Sequence, residues 1–252
     1  MDRRNWTEKE TCIALVLYYE IPFAKINKNH PLIINVAQKL GRTPSALSMK
    51  MCNLARFDPT LQKENISGLT HGSRMDEYVW TNYANNFIAL SEILGEIKDY
   101  FPNSTPSTIS EVHEGHVKKA LLNYRQGQNF FRDAVLSAYN YTCCITGITI
   151  HDLLIASHIK PWSQSDDKTE KANPRNGLCL NALHDRAFDK GLITLDKHYA
   201  LIVSDKLKKD RHLDERTKDW ICTFEGKQIQ LPHRNLPDLQ FIEYHNDMIF
   251  KK

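Results

Sequence analysis

Two stretches, ASHIKPWSQSD at 156–166 and NPRNGLCLNALHDRAFDKGL at 173–192, constrain the fold of this 252-residue chain more than any other part of it. The first puts His158 between an apolar run and Pro161-Trp162, in polar, loop-like surroundings. In the second, Asn176-Gly177 reads as a turn into a short apolar strand, Leu178–Leu180. A helix then starts near Asn181 or Ala182 and carries His184, Asp185 and Asp189. His184 and Phe188 stand at i and i+4 on one face, so Phe188 can anchor in a core while His184 lies at the edge of a cleft. The predicted order is strand end, loop, strand, helix: two strands and a helix clasping one point.

These residue types suit phosphodiester hydrolysis. Water must lose a proton as it attacks phosphorus, and a neutral imidazole with a pKa near ~6.5 accepts one at physiological pH. Negative charge that builds on the phosphate and the leaving oxygen can be neutralised by a divalent cation. An imidazole and a carboxylate on a helix can hold that ion and leave positions open, while an amide such as Asn176 fixes the loop. Each residue alone has an ordinary explanation. His158 would be a satisfied, partly buried histidine, His184 a surface helix residue, and Asp185 with Asp189 a solvated acidic face. Their joint occurrence in the SHIxPW and NPRNGL contexts outweighs those readings.

Composition fits a globular chain, with 41% hydrophobic and 25% charged residues. No run approaches the ~18 apolar residues of a membrane-spanning helix. MDRRNWTEKE lacks the apolar stretch of a secretory signal. The six cysteines, at 12, 52, 143, 144, 179 and 222, show no CxxC pairing. A reducing, cytoplasmic setting is therefore expected, with no membrane partner. The overall charge of +3 is uneven: residues 1–60 carry +4, residues 61–115 carry −5, and the remainder +4. Two basic modules flanking an acidic spacer suggest two contacts with a polyanion.

The strongest break is FPNSTPSTIS at 101–110, so we expect a helical domain over 1–100, a linker over 101–113 and a second domain over 114–252. The fold class is α+β with few strands. Thr7-Glu8-Lys9-Glu10 has the capping-box pattern and opens a helix to about Tyr19. NVAQKL–GRT–PSALSMKMCNLARF then has the layout of a helix-turn-helix, with Leu47, Met51, Leu54 and Phe57 on one face. Arg42, Ser45, Ser48, Lys50 and Asn53 lie off that stripe and could reach phosphates and base edges. An ordinary helical hairpin with a wet polar face is the alternative. From Asp76 one longer helix is predicted, with Trp80, Tyr83, Phe87, Leu90, Leu94 and Ile97 as a narrow seam. The seam either packs on its own core or joins two copies in a homodimer. In the second domain, HVKKALLNYRQGQNFFRDAVLSAY at 116–139 reads as two helices broken at Gly127. LITLDKHYALIVSD reads as two strands, and QFIEYHNDMIF as a closing helix.

With those strings in view, CCITG…SHIKPW…NPRNGLCLNALHDRAFDKGLIT resembles the HNH endonucleases, whose site is the ββα-metal fold. More closely, it is similar to bacterial restriction-type HNH proteins, and NWTEKET, INVAQKLGRTPSALSMKMCNLARFDP and GQNFFRDAVLSAY share that likeness. The resemblance implies a metal-dependent endonuclease cutting double-stranded, foreign and in some cases base-modified DNA. In that scheme His158 is the general base, Asn176 shapes the loop and positions the base, and His184 holds the metal. Many of these nucleases carry Asp or His just before the base, where this chain has Ser157. Asp189 and Asp185 are then the further ligands expected beside Ser157, with Asp152 a poorer one. Mg²⁺, or Mn²⁺ in its place, suits an oxygen-rich site. A structural Zn²⁺ is not expected, because Cys143, Cys144 and Cys179 lack the paired spacing and read as buried small hydrophobes. Lys118, Lys119, Arg125, Arg132, Lys160 and Arg175 are the phosphate contacts expected near the site. The rivals are an HNH-like DNA-binding protein without activity, for which Ser157 speaks, and a structure-specific or RNA-directed nuclease.

Overall fold

A computed structural model describes residues 4–63, 72–97 and 116–252, of which 116–126 are described by their backbone alone. The linker expected at 101–113 lies outside the described residues, as do the side chains of Lys118, Lys119 and Arg125. The fold is α+β, helical through the first half and carrying two small hairpins in the second. The chain forms two compact units, Met1–Ala134 with Asp167–Asn173, and Val135–Asp166 with Pro174–Lys252. Among the described residues no helix is long and apolar enough to cross a membrane.

The first unit is built around α1 (Glu8–Glu20). Thr7 Oγ accepts from Glu10 N while the Glu10 carboxylate takes the Thr7 amide, so two amides of the first turn are satisfied. The following CIALVLYY has no polar stripe, and a helix apolar all round must be enclosed. It is buried throughout this stretch and packs on α3 (Pro44–Ala55), α5 (Arg74–Tyr83) and α6 (Phe87–Glu96). Thr43 caps α3 and Pro44 opens it, while α2 (Pro31–Lys39) ends at Gly41, whose φ of +62° suits a residue without a Cβ. A short α4 (Pro59–Lys63) follows.

The single helix predicted from Asp76 is in fact two, α5 and α6. The Asn85-Asn86 pair explains the break: Asn86 N donates to Tyr83 O, and its side chain accepts from Ala89 N to cap a new helix. The seam survives the break. Phe87, Leu90 and Ile97 are buried in the unit's own core, with Trp80, Tyr83 and Leu94 packed against it. A homodimer seam thus loses the residues on which it rested. The break predicted at Gly127 is absent, since α7 (His116–Ala138) runs through it. One glycine costs a helix about 1 kcal/mol, which good helix formers on both sides and the burial of Phe130 and Phe131 offset.

The second unit carries the two predicted strand regions. β1 (Leu154–His158) pairs antiparallel with β2 (Gly177–Asn181), which leads directly into α8 (Ala182–Asp189). The helix packs on both strands. β3 (Ile193–Leu195) and β4 (Leu201–Val203) form the second hairpin. Then follow α9 (Asp205–Lys208), α10 (Glu215–Cys222) and α11 (Leu239–Met248). Gly191 fixes the end of α8: its φ is +66°, and a Cβ there would lie 2.0 Å from Ile249 O. The tail pairs across it through Lys251 N and Gly191 O at 2.9 Å.

Candidate active site

His158 is the last residue of β1, and its register partner is Gly177, which has no side chain to cover it. The imidazole is half-exposed, and the Trp162 ring meets it edge-on at 5.2 Å. The loop beyond is held by Asn176, which is fully buried. Asn176 Oδ1 accepts from Lys160 N at 2.8 Å, and Nδ2 donates to Lys160 O at 3.1 Å and to Ser165 Oγ at 3.2 Å. Its own carbonyl accepts from Ile159 N at 2.9 Å. Asn176 therefore binds both residues that follow His158, fixing where the strand ends. That uses every strong hydrogen-bonding group of the amide, so the residue type is required.

Opposite this loop, Asn181 starts α8. Its Oδ1 accepts from Leu183 N and His184 N, both at 3.1 Å. Its Nδ2 donates to Thr146 Oγ at 3.1 Å and to Cys143 Sγ at 3.4 Å, and its backbone N–H also reaches Cys143 Sγ. Cys143 thus accepts two hydrogen bonds, more than the small hydrophobe the sequence suggested. His184 is fully buried, with Trp220 and Phe224 edge-on to its ring at 5.0 and 5.8 Å. Burial lowers its pKa to about 4, so the ring is neutral near pH 7. His184 Nδ1 lies 3.2 Å from Asn181 Oδ1 and 3.0 Å from Nδ2. The amide N–H groups are already engaged with Thr146 and Cys143, so the consistent tautomer has Nδ1–H donating to Oδ1. The lone pair then sits on Nε2, a buried atom with no hydrogen-bond partner among the described residues.

Ser157 Oγ, one residue before His158, is the second such orphan. Although no well-formed hydrogen bond reaches it, the hydroxyl lies close enough to Asp185 to act on that carboxyl. Burial raises the Asp185 pKa, against which Ser157 and Arg186 pull down. Asp189, one turn on and more exposed, is raised by burial and then by Asp185, with Arg186 and Lys190 opposing. Ser157, His184 and Asp185 thus offer a hydroxyl, an imidazole lone pair and a carboxylate, and leaving the first two unsatisfied costs free energy. A divalent cation fits that chemistry of donors. Among the described residues no three His, Cys, Asp or Glu side chains gather at one point, so a wholly His/Cys/Asp/Glu centre is not formed. Asp152 is exposed in the short turn His151–Leu153 ahead of β1.

The basic residues fare unevenly. Arg42 and Lys50, read as DNA contacts, are engaged inside the first unit. Arg42 binds the Glu10 carboxylate at 2.9 Å and the carbonyls of Arg4 and Asn5, and lies over the Trp6 ring. Lys50 is buried against Asp76 at 2.5 Å. Both groups would have to abandon buried ion pairs to reach a phosphate, at a cost surface contacts do not repay. Ser48 is also buried, donating to Ser45 O, and Asn53 is half-buried. Ser45 stays exposed on α3, beside Met49. In the second unit, Lys160 holds its ammonium over the Tyr244 ring at 5.1 Å, and Arg175 is half-buried just before Asn176. Arg132, on α7, is half-buried as well. Sequence reading missed the parts played by Asn181, Cys143, Trp220 and Phe224. For Asn181 a signal existed, since Asn before a helix is a strong cap.

Residues 143–196 match the family model described as HNH endonuclease, and this span holds His158, Asn176, Asn181, His184, Asp185 and Asp189. No curated protein matches the chain. A strand ending in histidine, a buried asparagine gripping the loop, and a helix whose first turn holds a neutral histidine all fall inside the residues 143–196 that match the HNH endonuclease model.

Proposed function

We propose that this chain is a metal-dependent endonuclease that hydrolyses phosphodiester bonds of duplex DNA. HNH endonucleases act on nucleic acid and generally use a divalent ion. The observation that carries the reading is the buried, unpartnered Nε2 of His184, with Nδ1–H held by Asn181, on the helix packed against the strand that ends in His158. A metal-binding histidine is typically oriented in this way through its other nitrogen. The likeness of the N-terminal strings to restriction-type proteins extends the proposal to cutting of foreign DNA.

His158 takes the proton from the attacking water. Half-exposed, it is accessible to solvent, with the Trp162 ring packed perpendicular to it. Asn176 acts through the backbone, holding Ile159 and Lys160 so that His158 stays at the strand end. His184, Asp185 and Ser157 would hold Mg²⁺ or Mn²⁺, and Asp189 adds negative charge one turn away. When bound, the ion would neutralise charge developing on phosphate oxygens. Lys160, two residues after His158, and Arg175, just before Asn176, would meet neighbouring phosphates.

Ser157, standing where related nucleases carry an acidic ligand, favours a second reading, a DNA-binding protein without activity. One experiment separates the two. Supercoiled plasmid is incubated with the full chain and Mg²⁺ or Mn²⁺, with and without chelator, beside duplex RNA as competitor. Nicking that chelator abolishes and RNA does not inhibit supports the nuclease; DNA binding without nicking, on ordinary and base-modified plasmid alike, supports the binding protein.

A further inference from the structure

The face formed by Leu183, Arg186, Ala187 and Lys190 supplies none of the groups proposed to hold the metal or take the proton. It walls a pocket of about 380 Å³ completed by α9, α10 and the C-terminal tail. The pocket's volume is that of a small-molecule site. Leu183, Leu207, Leu213 and Ile221 supply apolar lining, and Arg186, Lys190, Lys206 and Lys251 bring four cations against one carboxylate, Asp210. All four are exposed, and among the described residues none forms an ion pair or a side-chain hydrogen bond. Arg186 acts on Asp185 and Asp189, and Lys190 on Asp189, through space and without a bond. The neighbouring lysines at the end of α9 differ: Lys208 is paired with Glu225 at 2.6 Å, and Lys209, just past the helix, with Asp205 at 2.6 Å. Asp210 already accepts from His212 N.

Four unneutralised cations around an apolar floor favour a ligand with a flat apolar part and several negative charges. A nucleotide within a strand has both. The helix also separates its charges, with Asp185 beside Ser157 on the side of the proposed metal and Arg186 and Lys190 lining the pocket, where they draw phosphates without one. We propose that this pocket holds one nucleotide of the substrate DNA strand, its base on the apolar lining and its flanking phosphates on Arg186, Lys190, Lys206 and Lys251. The inference rests on the nuclease reading and adds a second place where the same helix engages the substrate.

The test uses the full chain with His158→Ala, so that DNA stays intact, and a fluorescein-labelled oligonucleotide, single-stranded or duplex. Anisotropy is read across a potassium chloride series. Lys190→Glu with Lys206→Glu should weaken binding at least ~10-fold and flatten the salt slope by about two phosphate contacts. Thr217→Trp, which fills the pocket but keeps the cations, should weaken binding with the slope unchanged. Deoxyadenosine monophosphate should compete poorly. Parental affinity in either variant, with circular dichroism confirming the fold, overturns the pocket. Full competition by the monophosphate also overturns it, reassigning the pocket to a free nucleotide. Nicking by the wild-type chain is measured in parallel. Plasmid cutting with unchanged KM in the pocket variants removes this inference and leaves the nuclease standing, whereas a wild-type chain that neither binds nor cuts removes both.

Discussion

Asn176 shows how much one amide can decide. It is buried, and its side chain satisfies both the N–H and the C=O of Lys160. Asn176→Ala leaves those groups without partners, which we expect to cost about 3 kcal/mol in urea unfolding and to abolish nicking. Asn176→Asp loses the donor and sets a buried carboxylate against the Lys160 carbonyl, so it should be no more stable than the alanine variant. Equal stability of wild type and Asn176→Ala would contradict this role. Asn176 and His158 were legible because their types and spacing are tied to chemistry. Arg42 and Lys50 were not, because a cation in a sequence does not name its partner. Glu10 lies 32 residues from Arg42, and Asp76 lies 26 from Lys50, so only the fold brings them together. His184 was legible as a functional candidate, but the environment that keeps it neutral comes from Trp220 and Phe224 on a distant part of the chain.

At the scale of elements, local rules gave the caps and missed the interruptions. Thr7 and Thr43 followed from capping, and the two site strands from short apolar runs beside His158 and after the Asn176-Gly177 turn. The α5–α6 break did not, since a seam at three- and four-residue steps runs on unbroken through a short turn. Asn86→Ala removes the cap of α6 and should cost about 1 kcal/mol in thermal or urea unfolding. A stabilised variant would show that the break is imposed by packing alone. At the other end of the site helix, Gly191→Ala meets both a positive φ and the Ile249 carbonyl. A loss of about 3 kcal/mol is expected there, and an unchanged midpoint would contradict the tail's close approach. Gly127 is the contrary case: a helix interior tolerates it, so a glycine in a sequence marks a break only where the backbone needs its freedom.

For the molecule as a whole, the pH response follows from two buried histidines, His184 in the site and His245 outside it, of which the second can be tested without touching the proposed chemistry. His245 stacks on Phe188 at 3.8 Å, and burial lowers its pKa to about 4 although its hydrogen bond to Phe188 O pulls the other way. The unfolded chain, with a pKa near 6.5, binds the proton more readily. The contribution is therefore complete above pH 6.5 and is lost as pH falls toward 4, amounting to about 2 kcal/mol at pH 5. Urea unfolding at pH 7 and pH 5 should show that loss, and His245→Gln should reduce it; a wild-type stability that does not fall would contradict the burial argument. Whole-chain features were the least legible in the sequence. An uneven charge distribution pointed to a polyanion, but which cations are spent in ion pairs and which line an open pocket depends on tertiary structure.

Proton transfer by His158 and metal binding by the helix that carries His184 are separable in one assay, a titration of plasmid nicking rate against Mn²⁺. The wild-type rate should rise and saturate. His184→Ala should need at least ~10-fold more Mn²⁺ and recover part of its rate at high metal. His158→Ala should stay 10²- to 10⁴-fold below wild type at every concentration, roughly the worth of a general base. Nicking by His158→Ala at the wild-type rate would contradict the account.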